Sequence, residues 1–416
     1  MSGGQTRKLG LVVFDVEGVL IPKKRFLYFA VGRNLRFSQF LGIVFYGFLY
    51  EIGLLSLKRT LVHVFRIFKG MRTEELLSIF RQVPLMPDTK EVVKQLKSEG
   101  WRTALISSGL PTVVVRDLAS ELETEYAFGI ELETRNDVLT GEISGEVIEK
   151  NGKLKVLRRI LATEELLPES CVVVADDRNN LCMFLPEALK IGYSPDFALR
   201  VKADIVVSGE LAEILPLIRG EPKQRETLMT NDIVREAIHA SGFLVPVIAA
   251  ATGVFPVALS VSAITVLYAI SEVERMERTS MPLINTVTRL AATHQELYEF
   301  ATAPIFFALG ILAALLLFPL HVSGAAIAAF ALGDSAASLF GRRFGNRILP
   351  FNKGKTLEGS IVGFLFAFLF AMYFVPIQFA LLAAVVTAIV ECLPLPLNDN
   401  LAIPVVTGSV LFLTGV

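Results

Sequence analysis

Apolar positions follow two different patterns on either side of about residue 235. In the first half, residues 9–14, 102–106 and 171–175 are short, continuous apolar runs, as expected of strands buried on both faces. Each run ends in a polar cluster: Asp15-Val16-Glu17-Gly18, Ser107-Ser108-Gly109 and Asp176-Asp177. Helical spacing occupies 89–99, 113–122 and 153–161 between them. This alternation predicts a parallel α/β sheet with its site at the strand carboxyl ends. After a polar stretch at 220–230, seven apolar segments follow, at about 240–254, 256–271, 301–319, 322–340, 358–375, 377–393 and 401–416. They predict an all-α polytopic membrane domain, although the first two are short against the roughly 20 residues of a full span. The expected division is an α/β domain over 1–222, a linker over 223–239 and a membrane domain over 240–416.

Composition supports the second half of that picture. Of 416 residues 53% are hydrophobic, and the mean hydropathy of +0.55 requires part of the chain to face lipid. A net charge of −1 does not suggest a nucleic-acid partner. Cys171, Cys182 and Cys392 have no CxxC spacing, so neither zinc nor a disulfide framework is indicated. The apolar run after Arg7 and Lys8 ends at Asp15, too short for a signal-peptide core, and the N-terminal domain is expected in the cytosol.

The polar clusters carry chemistry of their own. Asp15 stands where a carboxylate can attack phosphorus and form an aspartyl phosphate. Glu17 points to the same side of the extended chain and can protonate a leaving oxygen. The Ser107 hydroxyl can hold a phosphoryl oxygen, and a lysine can neutralise charge that builds in transfer. Asp176 and Asp177, with Asp15, can hold Mg²⁺, a hard ion that takes carboxylates.

This order of motifs resembles the haloacid dehalogenase superfamily, in its phosphoserine-phosphatase-like branch, over about residues 9–218. The first motif is matched by Phe14-Asp15-Val16-Glu17-Gly18, with Glu where the common form has Asp. The second is matched by Ile106-Ser107-Ser108-Gly109, and the fourth reads Ala175-Asp176-Asp177-Arg178-Asn179-Asn180, with Asn180 in place of the final Asp. The resemblance implies a Rossmann-like fold with a helical cap at about 24–86. It also implies Lys153 as the motif lysine and a metal centre of Asp15, Glu17, Asp176 and Asp177. Ser107, Ser108 and Asn179 fall on its phosphate-binding positions. Lys24 stands where phosphoserine enzymes place a glutamate for the substrate ammonium group, and 37–50 is rich in aromatics. Phosphoserine is therefore disfavoured as substrate, and the aromatic stretch reads either as a buried cap helix or as an apolar, membrane-touching cap that admits a lipid phosphate.

In the second half, a cytosolic N-terminus would put loops 272–300, 341–357 and 394–400 on the cytosolic face. The middle loop holds Arg342, Arg343, Arg347, Lys353 and Lys355, which satisfies the positive-inside rule. Asp334 and Glu391 at membrane depth are costly unless they bind a metal, a partner or substrate. Three motifs recur here: Gly-Asp-x-x-Ala from Gly333 leading to Gly341-Arg342-Arg343-Phe344-Gly345, then Lys355-Thr356-Leu357-Glu358-Gly359-Ser360, then Asp399-Asn400-Leu401. Together they resemble the CTP-dependent lipid kinases (dolichol kinase, phytol kinase) and their relative phosphatidate cytidylyltransferase. The resemblance implies CTP and Mg²⁺ at the cytosolic face and transfer to a membrane alcohol. It assigns Asp334 and Asp399 to metal, and Arg342, Arg343, Lys353 and Lys355 to triphosphate, with Ser360 and Asn400 beside them. Glu358 is a candidate base or second metal ligand, and Arg235, His239, Glu272 and Glu391 are further polar groups of the domain.

The expected protein is thus an integral membrane enzyme that phosphorylates a lipid alcohol and hydrolyses a phosphomonoester. Two other readings stand beside it: a membrane-anchored phosphatase with a non-catalytic or cytidylyltransferase-type bundle, and a regulatory N-terminal module. The sequence leaves the oligomeric state open.

Overall fold

The computed structural model describes residues 10–23, 42–43, 45–46, 49–50, 55–222, 230–276, 288, 292, 296–350, 352–393 and 398–416. Lys24, most of the aromatic stretch at 37–50 and most of the loop at 272–300 lie outside the described residues. The chain divides into two compact units, Met1–Lys223 and Gln224–Val416.

The first unit is built on a seven-stranded sheet in the order β4-β3-β2-β1-β5-β6-β7. β1 (Gly10–Phe14) lies between β2 (Trp101–Pro111) and β5 (Cys171–Ala175) and is parallel to both. It sits at the centre because both its faces are apolar: Leu11, Val12, Val13 and Phe14 are fully buried. Burying a side chain of this size contributes roughly 1.5–3 kcal/mol. β3 (Tyr126–Arg135) and β4 (Val138–Ser144) form an antiparallel hairpin at one edge. Its turn residues Asn136 and Asp137 both have left-handed backbones (φ 51° and 63°), which suits a tight two-residue hairpin turn. β6 (Leu189–Tyr193) and β7 (Ile205–Val207) complete the other edge in parallel register.

The described helices of this unit are α1 (Leu57–Arg66), α2 (Thr73–Phe80), α3 (Thr89–Ser98), α4 (Thr112–Leu122), α5 (Gly152–Thr163), α6 (Phe197–Lys202) and α7 (Ile214–Ile218). The three foreseen from spacing are α3, α4 and α5. Strand order reverses at β1, since its chain neighbours in the sheet lead outward on opposite sides. The crevice outside the carboxyl ends of β1, β2 and β5 is where such a sheet binds ligands.

The second unit is helical: α8 (Thr230–Ser241), α9 (Leu244–Thr252), α10 (Val254–Met276), α11 (Ala303–Leu317), α12 (Leu320–Phe344), α13 (Leu357–Ala371), α14 (Ile377–Cys392) and α15 (Asp399–Leu413). A two-stranded hairpin, β8 (Ile348–Leu349) with β9 (Asn352–Thr356), joins α12 to α13. α8 begins inside the stretch expected as linker, and its Glu236 is buried. Three described stretches are long and apolar enough to cross a membrane: Asn231–Thr252, Val254–Met276 and Leu320–Phe344. The other four helices have 15 or 16 residues, about 23 Å at 1.5 Å per residue against a hydrocarbon core of about 30 Å. Each of the seven expected apolar segments is helical, and among the described residues three stretches reach full membrane length. Apolar runs lose helix length to proline-marked turns: residues 372–375 form a turn before Pro376 caps α14, and Pro319 caps α12.

α12 is the central helix, with 78% of its apolar window buried in the protein. It packs closely on α13 through small residues; a Cβ on Gly363 would lie 2.9 Å from the Gly333 carbonyl oxygen. By contrast α10 exposes Phe255, Leu259, Ile264, Val266 and Leu267. An apolar face of that extent is not a water-facing surface.

Candidate active site

Asp15 follows β1 directly, and its backbone N–H donates to the Val174 carbonyl of β5 at 2.9 Å. That bond fixes the carboxylate over the strand ends. Oδ1 of Asp15 accepts from the Val16 N–H and from the Lys153 ammonium, each at 3.0 Å. Lys153 enters from the first turn of α5 and is 2% exposed. It also donates to Asn180 Oδ1 at 2.6 Å, and the Asn180 amide in turn donates to Asp15 Oδ2 and, at 3.0 Å, to Asp177 Oδ1. Burial alone would lower the Lys153 pKa; the Asp15 carboxylate, helped by Asp177 and Glu17, outweighs it and holds the lysine charged.

Glu17 sits across the site. Its Oε2 accepts from the Ser107 hydroxyl at 2.7 Å. Ser107, at the end of the apolar part of β2, accepts in turn from the N–H groups of Gly109 and Leu110 at 3.1 and 2.8 Å. Burial, then the neighbouring Asp15 charge, push the Glu17 carboxyl up to about 7. It is therefore available as a proton donor near neutral pH. Two glycines make room for this packing. A Cβ on Gly109 would collide with Glu17 Oε1, and one on Gly18, whose φ is +83°, would collide with the Asp176 carboxylate.

Asp15, Asp176 and Asp177 present oxygens that all lie within 4.8 Å of one another. Asp176 Oδ1 is buried with no hydrogen-bond partner. Burial and the Asp177 and Asp15 carboxylates push the Asp176 carboxyl well above its usual range, against the pull of Lys23. An orphaned carboxylate oxygen among like charges is the donor set a hard divalent cation satisfies, and Mg²⁺ fits it. Glu17, grouped with the metal residues from sequence, instead faces Ser107 and does not belong to this triad.

The remaining expected phosphate ligands are placed less directly. Ser108 is buried beside Ser107. Asn179 spends its amide on Asp177 (3.0 Å) and accepts from the Tyr50 hydroxyl (2.8 Å), so it ties the fourth motif to the segment carrying Tyr50. Arg178 reinforces that tie: it lies 4.7 Å from the Tyr50 ring centroid and donates to the Tyr50 carbonyl. Sequence reasoning missed Lys23, which pairs with Asp176 and Asp177. The only hint was the Lys23-Lys24-Arg25 run soon after the first motif.

In the helical unit, side chains from five elements converge. Lys355 on β9 donates to Asp334 of α12 at 3.2 Å and to Glu391 of α14 at 2.8 Å. His239 of α8 lies 3.9 Å from Asp334 and contacts Asn400 of α15 at 3.1 Å. Asp399 immediately precedes Asn400 at the start of α15, and Lys353 lies half-buried on β9. Other expected members are engaged elsewhere. Arg342 pairs with Asp232, and the exposed Arg343 lies 5.9 Å from the Phe344 ring centroid. Glu358, expected as a base or ligand, accepts from the Arg347 N–H at 3.1 Å, because its place in the first turn of α13 turns it back onto the hairpin. The Ser360 hydroxyl donates to the Thr356 carbonyl one turn earlier. Arg235 pairs with Glu236. Glu272, fully buried, is a structural ion pair with Arg275 and also accepts from the Ala301 N–H.

A carboxylate held by a buried lysine stands at the end of a central parallel strand, with a carboxyl of raised pKa opposite and a cluster of three aspartates that can hold a metal beside it. Residues 12–184 match the haloacid dehalogenase-like hydrolases. The chain is 34% identical over 217 residues to a phosphoserine phosphatase of Archaeoglobus fulgidus, covering 51% of this chain and 61% of that protein. It is 30% identical over 168 residues to a phosphoserine phosphatase of Methanocaldococcus jannaschii, covering 40% of this chain and 79% of that protein. A solved structure described as a phospho-aspartyl intermediate analogue of phosphoserine phosphatase aligns with 51% of this chain and 100% of its own, at 26% identity and a TM-score of 0.45. The chain belongs to the haloacid dehalogenase-like hydrolases.

The position of Glu17 sets a pH dependence. A carboxyl that titrates at about 7 is present as the acid below that pH and is lost above it. Hydrolysis of an alkyl phosphate, whose leaving oxygen needs the proton, is expected to fall as pH rises through about 7. Glu17→Gln is expected to lower that rate by about 10²–10⁴-fold and to spare p-nitrophenyl phosphate much more. Single-turnover rates of alcohol and of p-nitrophenol release across pH 5–9, which read the step that forms the aspartyl phosphate, check this; equal losses on the two would remove Glu17 from the acid role.

Proposed function

We propose that this chain is a membrane-anchored phosphomonoester hydrolase that works through a phosphoaspartate on Asp15. The observation that carries the reading is the buried Asp15–Lys153 pair with Glu17 and Ser107 across from it. Asp15 attacks phosphorus, the ester P–O bond breaks, and the departing alkoxide takes the Glu17 proton. The Glu17 carboxylate then accepts a proton from a water that attacks the aspartyl phosphate, which releases phosphate and restores Asp15. Lys153 and the Ser107 hydroxyl stabilise the phosphoryl charge throughout. Mg²⁺, held by Asp15, Asp176 and Asp177, neutralises further phosphoryl charge when bound. The three membrane-length helices and the apolar exposure of α10 support an anchor.

For substrate, the fusion to an apolar helical unit and the sequence position of Lys24 favour a phosphorylated lipid alcohol, whereas the relatives act, by their names, on phosphoserine. Full-length protein in detergent with Mg²⁺ is to be given phosphoserine, phosphatidate and a polyprenyl phosphate. Lipid phosphates are expected to turn over fastest, and Asp15→Asn to lose at least roughly 10³-fold. Preference for phosphoserine would reassign the substrate. Turnover retained in Asp15→Asn would overturn the hydrolase reading.

One observation favours a second activity. The convergence of His239, Asp334, Lys355, Glu391 and Asn400 gathers opposite charges where buried charge is costly, as a metal–triphosphate site requires. This supports CTP-dependent phosphorylation of a lipid alcohol by the helical unit. Two opposed activities on one alcohol would make a futile cycle, so the two sites act on different molecules. With γ-labelled CTP and Mg²⁺, label is expected in one of dolichol, phytol, geranylgeraniol or diacylglycerol, and Asp334→Asn is expected to reduce it by roughly 10²-fold or more. Absence of labelled lipid, or labelling unchanged by Asp334→Asn, would remove this activity.

A further inference from the structure

Two lysines meet the carboxylates at the end of the sheet, and they are held very differently. Lys153 is 2% exposed and fixed by Asp15 and Asn180. Lys23 has 43% of its side chain exposed, yet its ammonium donates to Asp176 Oδ2 at 2.9 Å and to Asp177 Oδ2 at 2.6 Å. The same two carboxylates belong to the triad with Asp15, in which one oxygen from each residue lies within 4.8 Å of the others. Asp176 thus has one oxygen against a mobile-stemmed cation and the other, Oδ1, buried without a hydrogen-bond partner. Lys23 stands eight residues after Asp15, at the foot of the segment that leads to the cap. Its flexible, half-exposed stem can swing into solvent without opening the core.

We propose that Lys23 is a tethered cation that competes with the divalent metal for Asp176 and Asp177, so that metal binding displaces its ammonium. The inference rests on the reading of Asp15, Asp176 and Asp177 as metal ligands. A small divalent ion draws carboxylate oxygens in to about 2.0–2.1 Å and demands near-octahedral directions around itself. An ammonium bridging the same two carboxylates takes up lone pairs in those directions and carries like charge. Metal entry therefore costs the loss of two charge-assisted hydrogen bonds and a separation of Lys23 from the site. Without the ammonium, three clustered carboxylates repel one another and gain more from a divalent ion. Lys23 accordingly weakens metal binding. A purely structural Lys23, holding the two aspartates in place, would have the opposite sign: removing it would loosen the ligands and weaken the metal further.

That difference in sign is the test. Mg²⁺ is to be titrated calorimetrically into the whole chain in detergent, without substrate, for the parent protein, Lys23→Met, Lys23→Arg and Asp176→Asn, all carrying Asp334→Asn so that the helical unit's proposed metal site does not contribute. Lys23→Met is expected to bind Mg²⁺ roughly tenfold tighter than the parent. Lys23→Arg, which keeps the charge, is expected to stay close to the parent, and Asp176→Asn to lose binding. Fluorescence of Trp101, the sole tryptophan and part of β2, reports whether each variant is folded. If Lys23→Met does not fold, Lys23→Gln removes the charge with polarity kept and carries the same expectation. Unchanged or weaker Mg²⁺ binding on removal of the charge, with normal binding by the parent, overturns the competition and leaves the metal reading intact. No Mg²⁺ binding by either protein overturns both.

Discussion

The first unit is organised around a buried ion pair. Asp15 and Lys153 meet at 3.0 Å where neither reaches water. A buried charge without its partner is strongly destabilising, by about 3–5 kcal/mol when one member of such a pair is removed. The surroundings are shaped by that need. β1 supplies a rigid apolar strand to hold Asp15, α5 delivers Lys153 in its first turn, and Asn180 bonds to both. In the proposed reaction the pair also divides the work between carboxyls: Asp15 beside an ammonium attacks phosphorus, while Glu17, buried near that negative charge, keeps its proton to about 7.

Asn180 is instructive as a departure from the usual motif. It gives up a carboxylate and becomes the amide that joins Lys153, Asp15 and Asp177. The carboxylate lost there is offset next door, since Asp177 completes the group of three with Asp15 and Asp176. The net charge of the cluster is then set by how many ammonium groups approach it, and among the described residues Lys23 and Lys153 do.

Much of this was legible from residue order. Continuous apolar runs ending in Asp15, Ser107 and Asp176 located β1, β2 and β5, because a strand buried on both faces tolerates no polar residue until it ends. Helical spacing located α3, α4 and α5. The edge strands β3, β4, β6 and β7 were not legible, since partly exposed strands lack that continuity. Lys23 was missed because its partners lie more than 150 residues away in the chain. In the helical unit, Asp334 and Glu391 stood out as acids at membrane depth, Lys355 and Asn400 through their motifs and His239 as a further polar group, and α8, α12, α14, α15 and β9 bring the five together. Glu358 and Ser360 share a motif with Lys355, but a helix start turns their side chains onto local backbone, which spacing alone does not reveal. The apolar segments located the helices of this unit, with breaks at Pro319 and Pro376 where the structure also turns.

The central claim is that Asp15 becomes phosphorylated. Full-length protein is to be mixed with a ³²P-labelled phosphomonoester that it hydrolyses, quenched in acid within a turnover, digested and mapped by mass spectrometry. The account predicts label on the peptide carrying Asp15, labile to hydroxylamine as an acyl phosphate is, and absent from Asp15→Asn. Label on another residue, or phosphate released in a burst with no labelled protein at any time, would contradict it.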